Sequence, residues 1–488
     1  MSKVKALLVT LANVAVQRLI ALRPMLRRIV PRRLHHRVGT TFRAALRAVE
    51  ASRANAVPAL PRPPVGAPRS LPPIPGLVLH VTESLGCGGA ERQLAYLLKG
   101  QAARCDPAPQ LVGFRLGESP EFDHFAPALA GTGAVIDTVT RTATAERRLA
   151  EILGPDFVPT LGRDLAWAPD DVADDIVRLA AEIVVRRADV VHGWQDSVGI
   201  AAAIAGLAVG VRRVVISTRN VSPPNFSYDR PYMRVAYQAL AAEPNVVLIN
   251  NSRAGADDYA AWLGVPPSRF VVVRNGIAPA EIVALGAADG AAFRARLGVP
   301  PDAPLVGGVF RLHAEKRPLL WLEVAARVRE RLPAAHFVIV GDGPMRPLLL
   351  QEAGRRGMAD VLHLPGAVRH VGDALAAMTA FLLVSAHEGT PNVVIEASLA
   401  GVPVVATDAG GTAETIADGV TGIVVRGAAG ADEGPAGPPN VAETIADKVL
   451  EVLRNPAWTK RCREAGPRFV LDRFGLERMI VETTALYG

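Results

Sequence analysis

The sequence predicts an α/β protein of two doubly wound domains, each a parallel sheet covered by helices, facing each other across a cleft. Short apolar segments of strand length alternate with helical patterns in two separate series. Half of the residues are hydrophobic but only 5% are aromatic, a composition typical of helices packed closely on parallel strands. A chain of 488 residues also exceeds what one hydrophobic core normally organises.

The first series begins at Leu77. Strands are expected at 77–82, 111–115, 189–193, 213–217, 245–250 and 270–273, and helices between them at 89–103, 171–187, 196–209 and 228–242. The second series begins at Leu305, with strands at 305–310, 336–340, 361–364, 381–384, 403–406 and 422–425. Helices are expected at 440–454, 458–470 and 477–486. Apolar runs of four to eight residues between turn signals are the basis for these strands.

These patterns divide the chain into five parts. They are a basic amphipathic arm at 1–57, a proline-rich linker at 58–75, an N-terminal domain at 76–278, a C-terminal domain at 279–473 and a last helical segment at 474–488. The last segment is a candidate for crossing back to the N-terminal domain.

The net charge of +7 is concentrated in the first 75 residues. They contain 14 Lys and Arg against one acidic residue, Glu50, which makes +13 and leaves −6 for the rest of the chain. The folded body is therefore not expected to bind nucleic acid. Residues 1–57 are expected either to lie on an anionic membrane surface or to form a disordered basic tail, and the apolar stretch 6–16 is shorter than the ~20 residues that span a bilayer. The spacing of Cys87, Cys105 and Cys462 fits neither a disulfide framework nor a metal site, so we expect a reducing compartment. Together with the basic arm, this leads us to expect a cytoplasmic protein, peripheral on the inner face of the cytoplasmic membrane.

The most informative segment is 387–397, His-Glu-Gly-Thr-Pro-Asn-Val-Val-Ile-Glu-Ala. A helix starting near Pro391, at its first position, places Glu388 in the preceding loop and Glu396 on the second turn. The free N–H groups of a first turn attract an anion, and carboxylates accept hydrogen bonds from sugar hydroxyls. A segment that holds a phosphate and a polyol together indicates a nucleotide-sugar site.

A second segment, 310–318, follows a strand and contains Arg311 and Lys316. Five residues apart in one loop, these two side chains could clamp a diphosphate, and charge-assisted bonds of this kind contribute about 1.5–3 kcal/mol each. The alternative is a pair of ordinary surface cations. A glycine turn at Gly410-Gly411 follows a later strand.

The order and spacing of these segments resemble the retaining glycosyltransferases of family 4, which have the GT-B fold of two Rossmann-like domains. The resemblance runs from about Leu77 to the end of the sequence. It implies that Glu388 binds hydroxyls of the donor sugar, Glu396 the ribose, and Arg311 and Lys316 the diphosphate. Neighbouring donor-binding positions are Gly389, Thr390, Pro391, Asn392 and Val393. Many members have Phe-Gly after the first Glu-Gly, whereas Thr390-Pro391 is similar to a variant common among polysaccharide-building members.

The first half of the chain supplies the facing side of the cleft. Gly88 and Gly89 belong to a loop similar to the family's Gly-Gly-Ala-Glu loop, which approaches the donor phosphates. His192 ends a strand where members often carry an active-site histidine, although a lone histidine beside a strand is more often structural, and Trp194 stands where a second histidine is frequent. Arg219 and Asn220 close the next strand and are candidates for contact with the acceptor.

The expected activity is transfer of a hexosyl unit from a UDP- or GDP-sugar to a glycan or polyprenyl-diphosphate-linked acceptor in surface polysaccharide synthesis, with retention implied by the resemblance. The chain contains no Asp-x-Asp, so a metal-independent reaction without a cofactor is expected. The alternatives are a nucleotide-sugar 2-epimerase and a non-catalytic scaffold that binds sugar nucleotides. A two-carboxylate glycosidase would not explain the basic loop, and an NAD enzyme would need a glycine fingerprint that neither half has.

Overall fold

The structure is a computed structural model that describes residues 47–48, 50–51, 56–63, 71–280, 287–368, 370–429 and 441–488. Most of the basic arm expected at 1–57, and part of the 58–75 linker, lie outside the described residues. The described residues form two parallel-sheet α/β domains, so the predicted fold class is confirmed. None of the described helices combines the length and apolar character that crossing a membrane requires.

The N-terminal domain contains a parallel sheet of seven strands among the described residues, in the order β3-β2-β1-β4-β5-β6-β7. The strands are β1 Val78–Thr82, β2 Gln110–Gly113, β3 Val135–Thr138, β4 Val190–Trp194, β5 Arg213–Thr218, β6 Val246–Asn250 and β7 Phe270–Val272. Its helices are α1 Gly89–Ala102, α2 Thr142–Leu153, α3 Phe157–Asp164, α4 Asp170–Arg186, α5 Asp196–Val209, α6 Pro231–Ala241 and α7 Arg253–Leu263.

The C-terminal domain contains a described parallel sheet of six strands in the order β10-β9-β8-β11-β12-β13. The strands are β8 Leu305–Val309, β9 His336–Val340, β10 Leu362–Gly366, β11 Ala380–Leu383, β12 Val404–Thr407 and β13 Gly422–Val425. Its helices are α8 Ala287–Leu297, α9 Pro318–Arg331, α10 Arg346–Arg355, α11 Val371–Ala377, α12 Asn392–Leu399, α13 Val441–Arg454 and α14 Pro456–Arg473.

The strand order of each sheet determines where a ligand site can form. In a doubly wound sheet the chain runs outwards in both directions from one pair of neighbouring strands, and the loops at their carboxyl ends diverge and leave a crevice. That pair is β1 and β4 in the first sheet and β8 and β11 in the second. The loop that follows β1 holds the Gly88-Gly89 turn, and the loops that follow β8 and β11 hold the basic segment and the glutamate segment.

The last helix, α15 (Leu476–Ala485), packs on α1 of the N-terminal domain. Ile480 lies so close to Gly100 that a Cβ there would meet its Cδ1 at 2.3 Å. Gln101 donates from Nε2 to the Thr484 hydroxyl at 3.2 Å, and Tyr487 is buried with the N-terminal core. The C-terminal segment therefore joins the two domains by contacts as well as by the chain.

Some elements were not predicted. Strand β3 lies at the sheet edge with Val135 half exposed, so its sequence lacks the continuous apolar run of a strand buried on both faces. Helices α2 and α3 are also additional to the prediction. Helix α12 begins at Asn392 with Pro391 as its N-cap, one residue later than expected.

Candidate functional site

The loop after β11 holds a buried carboxylate that is paired with a cation from the loop after β8. Glu388 accepts at Oε1 from Lys316 Nζ at 2.5 Å and from the Ser385 hydroxyl at 2.7 Å. The side chains of Lys316 and Glu388 are 18% and 9% exposed. The sequence predicted these two groups in one site, and the structure shows that they form an ion pair with each other.

Arg311, the other predicted clamp residue, is in the same loop but points outwards. Its side chain is 71% exposed, and a terminal nitrogen lies 3.8 Å from Glu315. A long cation with this freedom can turn towards an anion in the cleft at little cost. Its charge already reaches the facing domain, because it opposes the rise that burial causes in the pKa of Glu91.

The N-terminus of α12 meets the glycine loop of the N-terminal domain. The Asn392 side chain donates from Nδ2 to the carbonyl of Gly89 at 3.4 Å and accepts at Oδ1 from Asn275 Nδ2 at 2.8 Å. A Cβ at Gly89 would lie 2.9 Å from Asn392 Nδ2, so glycine permits this approach. The first amides of α12, including those of Asn392 and Val393, have no acceptors within the helix and carry its positive dipole end.

Arg92 was not assigned a role from the sequence, but it reaches across the cleft. Its guanidinium forms an ion pair with Glu396, whose side chain is 2% exposed. Arg92 belongs to the first turn of α1, directly after the glycine loop, and Glu396 to the second turn of α12. The position of Arg92, one turn after Gly88-Gly89, could have marked it as a candidate site residue. Its partner Glu396 could not be found in this way, because it is 304 positions away in the sequence.

Glycines allow the loops around Glu388 to pack on each other. A Cβ at Gly410, where φ is +48°, would lie 1.9 Å from the carbonyl of Glu388, and one at Gly411 would lie 2.0 Å from the carbonyl of Gly389. Gly389 itself lies against the backbone of Arg219. The Thr390 hydroxyl donates to the carbonyl of Asn251 at 2.7 Å. The glutamate loop is therefore held from both domains.

The two candidate acceptor residues differ in their surroundings. Arg219 lies 4.3 Å above the Trp194 ring and donates to Asn275 Oδ1 at 3.2 Å, and burial lowers its pKa to about 9. Its charge also opposes the rise that burial causes in the pKa of Glu91. Asn220 instead accepts at Oδ1 from the Val221 amide at 3.0 Å, which closes its own turn.

His192 is not brought into this cleft. It is fully buried in β4, with Nδ1 bonded to the Tyr487 hydroxyl at 2.8 Å and Nε2 to the Ser217 hydroxyl at 2.7 Å. Burial lowers its pKa well below the ordinary value. Because both ring nitrogens are engaged, direct proton transfer with a substrate would require these bonds to break, and the geometry favours a structural histidine.

One strained residue supports the glycine loop. Gln195, directly after β4, has φ of +66°, which is unusual for a residue with a side chain. It donates from Nε2 to Glu91 Oε1 at 3.0 Å. Burial raises the pKa of Glu91. The Gln195 side chain thus holds the Glu91 carboxylate at the start of α1, beside Gly88.

The sequence of this chain is similar to those of known proteins. The family model described as "Glycosyl transferases group 1" matches residues 303–455, which include both the basic loop and the glutamate segment. The chain is 31% identical over 415 residues to the Vi polysaccharide biosynthesis protein VipC/TviE of Salmonella typhi, covering 83% of this chain and 70% of that protein.

Solved structures show the same fold. HepE of Anabaena in complex with UDP and glucose superimposes with a TM-score of 0.64 at 20% identity, over 84% of this chain and 98% of that one. WaaG, a glycosyltransferase involved in lipopolysaccharide biosynthesis, superimposes with a TM-score of 0.60 at 16% identity, over 84% and 98%. Likeness at this level of identity shows only the fold, whereas the identity to the Salmonella protein extends over most of both sequences. On that ground the chain belongs to the group 1 glycosyl transferases.

Proposed function

We propose that this protein transfers a hexosyl unit from a UDP- or GDP-sugar to a glycan or polyprenyl-diphosphate-linked acceptor, with retention of configuration, as a member of family 4. The observation that carries the proposal is the Lys316–Glu388 pair beside the N-terminus of α12. A carboxylate for sugar hydroxyls, a cation for phosphate and a helix dipole then lie in one crevice.

The donor diphosphate is proposed to bind between Lys316, Arg311 and the first amides of α12. A nucleoside diphosphate is already a good leaving group, so the reaction mainly needs stabilisation of the negative charge that builds on it. When the diphosphate arrives, Lys316 gains a second anion, and Glu388 becomes available to orient the sugar hydroxyls. The exposed Arg311 can fold over the phosphates without losing a buried partner.

Glu396 is proposed to bind the ribose of the nucleotide. Its carboxylate forms an ion pair with Arg92 of the opposite domain. Donor binding therefore requires an exchange in which hydroxyl groups share or replace the guanidinium. Because Arg92 and Glu396 belong to different domains, this exchange would couple nucleotide binding to the contact between the domains. A closed contact between the domains helps to exclude water during transfer.

A metal-independent reaction is proposed because cationic side chains and helix amides can supply the charge that a metal ion supplies elsewhere. Lys316 and Arg311 belong to the loop beside the proposed phosphate position, and the sequence has no Asp-x-Asp with which the simplest metal–diphosphate site is built. Retention rests on the resemblance to family 4.

The role in surface polysaccharide synthesis is supported by the Salmonella relative, whose name assigns it to Vi polysaccharide biosynthesis. We also propose that the basic residues within 1–57 hold the protein on the inner face of the cytoplasmic membrane. Deleting residues 1–46 leaves the Glu50–Arg230 ion pair intact and should abolish flotation with vesicles containing anionic lipid. Unchanged flotation would contradict the membrane part of the proposal.

The donor site is tested by thermal unfolding with UDP, GDP, ADP and their sugars. A nucleotide present at 100 times its dissociation constant stabilises the folded state by about 2.7 kcal/mol. Glu388→Gln should lose the additional shift given by the sugar, whereas Glu451→Gln, on the exposed surface of α13, should keep it. If none of these ligands shifts the melting temperature of the wild type, the donor site is wrongly assigned.

The competing functions give different results in activity assays. An epimerase would change the sugar of the donor without any acceptor, which NMR of the sugar nucleotide detects. A scaffold would bind the nucleotide but would support normal glycan synthesis in cells carrying Glu388→Ala and Lys316→Ala. Loss of the glycan in both variants is the result that our proposal requires.

A further inference from the structure

A pair of aromatic rings extends the cleft on the side of the N-terminal domain. Phe226 and Tyr228 lie in the loop between β5 and α6, and their rings stack with centroids 5.1 Å apart and planes 5° apart. Phe226 also meets the His387 ring edge-to-face at 5.8 Å. His387 directly precedes Glu388, so two ring-to-ring steps lead from the glutamate loop to Tyr228. We call Phe226 and Tyr228 the aromatic platform.

The Tyr228 ring is held in position although it is 45% exposed. Its hydroxyl donates to Asp196 Oδ2 at 3.3 Å. Asp196 is buried and also accepts from the Tyr237 hydroxyl at 2.8 Å and the Tyr259 hydroxyl at 2.5 Å. A ring fixed in this way loses little conformational entropy when a ligand packs on it.

The loop that carries the aromatic platform is also held at its two ends. The Ser222 amide donates to Asp258 Oδ2 at 2.6 Å near the start, and Arg230 pairs with Glu50 at 2.6 Å at the end. Arg47 donates to the Ser227 carbonyl at 2.9 Å between the rings. The described C-terminal part of the basic arm therefore contacts this loop directly, and the platform lies between that part of the arm and the glutamate loop.

We propose that the aromatic platform binds a pyranose ring of the acceptor glycan, at least one unit away from the sugar that receives the hexosyl group. This inference rests on the proposed transferase function. The side chains proposed to bind the donor, Lys316 and Glu388, lie on the C-terminal domain, whereas Tyr228 belongs to the opposite domain. The apolar C–H face of a pyranose packs well on an exposed aromatic ring, while its hydroxyls stay in water. The favoured acceptor therefore contains two or more sugars.

The test compares a long and a short acceptor. The long acceptor is the lipid-linked saccharide that accumulates in cells lacking this protein, and the short one is its non-reducing terminal sugar as a methyl glycoside. The wild type should prefer the long acceptor in kcat/KM. Tyr228→Ala should reduce that preference about 2- to 12-fold, through KM rather than kcat, which is the fold-change that an aromatic contact of roughly 0.5–1.5 kcal/mol gives. Tyr228→Phe retains the ring and should retain the preference.

Two measurements keep this test decisive. The nucleotide-induced rise in melting temperature shows that each variant is folded, and Tyr228→Leu replaces Tyr228→Ala if the latter does not fold. Leu348→Ala, which trims a side chain of similar exposure on α10, should leave the preference unchanged.

The proposal is overturned if Tyr228→Ala and Tyr228→Leu still prefer the long acceptor as the wild type does. It is also overturned if these variants lose kcat/KM equally for the long and the short acceptor. An inactive wild type that nevertheless binds nucleotide would contradict the transferase function instead.

Discussion

The Lys316–Glu388 pair should contribute to stability and to catalysis in ways that a double-mutant cycle separates. We consider Lys316→Met, Glu388→Gln and the double variant. Both side chains are less than one-fifth exposed and their charged atoms are 2.5 Å apart. A charge-assisted bond in such a position contributes about 1.5–3 kcal/mol to the free energy of unfolding. The coupling energy of the cycle is therefore expected in that range.

The assay is urea unfolding of the four proteins, with the free energy extrapolated linearly to water. The matched control is the same cycle on Lys448 and Glu451, whose charged atoms are 2.8 Å apart but whose side chains are 43% and 55% exposed. An exposed pair of this kind should couple by only about 0.3–0.5 kcal/mol. The difference between the two cycles measures the effect of burial in the cleft.

Transfer activity distinguishes a structural pair from a functional one. If both groups contact the donor, each single substitution should lower kcat by about 10²–10³-fold, and the double variant should be no more active than either. A purely structural pair would instead recover activity in the double variant, because no unpaired charge remains. Such recovery, or a coupling no larger than that of the control pair, would refute the donor-site geometry.

Three further results are expected. Gly410→Ala places a Cβ 1.9 Å from the carbonyl of Glu388 at a φ of +48°. It should lower the free energy of unfolding in urea by about 1–3 kcal/mol and weaken nucleotide binding. Gly354→Ala, in open space on α10, should instead raise the free energy of unfolding by up to about 1 kcal/mol. Arg92→Met leaves a buried carboxylate without its guanidinium and should cost about 3 kcal/mol in the same assay, and a cost below that of an exposed pair would contradict the interdomain contact. Burial lowers the pKa of His80 to about 4 and lowers the pKa of His192, so below pH 6.5 the unfolded state binds more protons than the folded state. The free energy of unfolding should therefore fall by up to about 1.4 kcal/mol per pH unit for each histidine as the pH falls from 6.5 towards 4. His192→Gln should make that fall shallower between pH 7 and 5, and an unchanged slope would mean that this histidine is not buried in the neutral form.

The fold was predictable because parallel strands buried on both faces have a distinctive sequence. Strand β8 is buried at every position and appears as a short apolar run between turn residues. Strand β3, at the edge of the sheet, is exposed at three of its four positions and has no such run, so it was missed. The start of α12 was displaced by one residue because a proline suits both the N-cap and the first position of a helix.

The site was predictable in its parts but not in its contacts. Polar residues in the loops that follow β8 and β11 were expected to meet at one edge of the sheet, and the structure pairs Lys316 with Glu388. The same reasoning selected His192 from its position near a strand end, but such a position does not show whether the side chain faces the cleft or the core. Its partner Tyr487 comes from the other end of the chain.

The sequence by itself determined the two series of strands and helices and the chemistry carried by the loops between them. These properties depend on local periodicity and on which residues a buried strand accepts. Only the tertiary structure decided that Arg92 pairs with Glu396 and that Phe226 meets His387. Those contacts join residues far apart in the chain, and they depend on how two separately folded sheets are oriented, which no local pattern encodes.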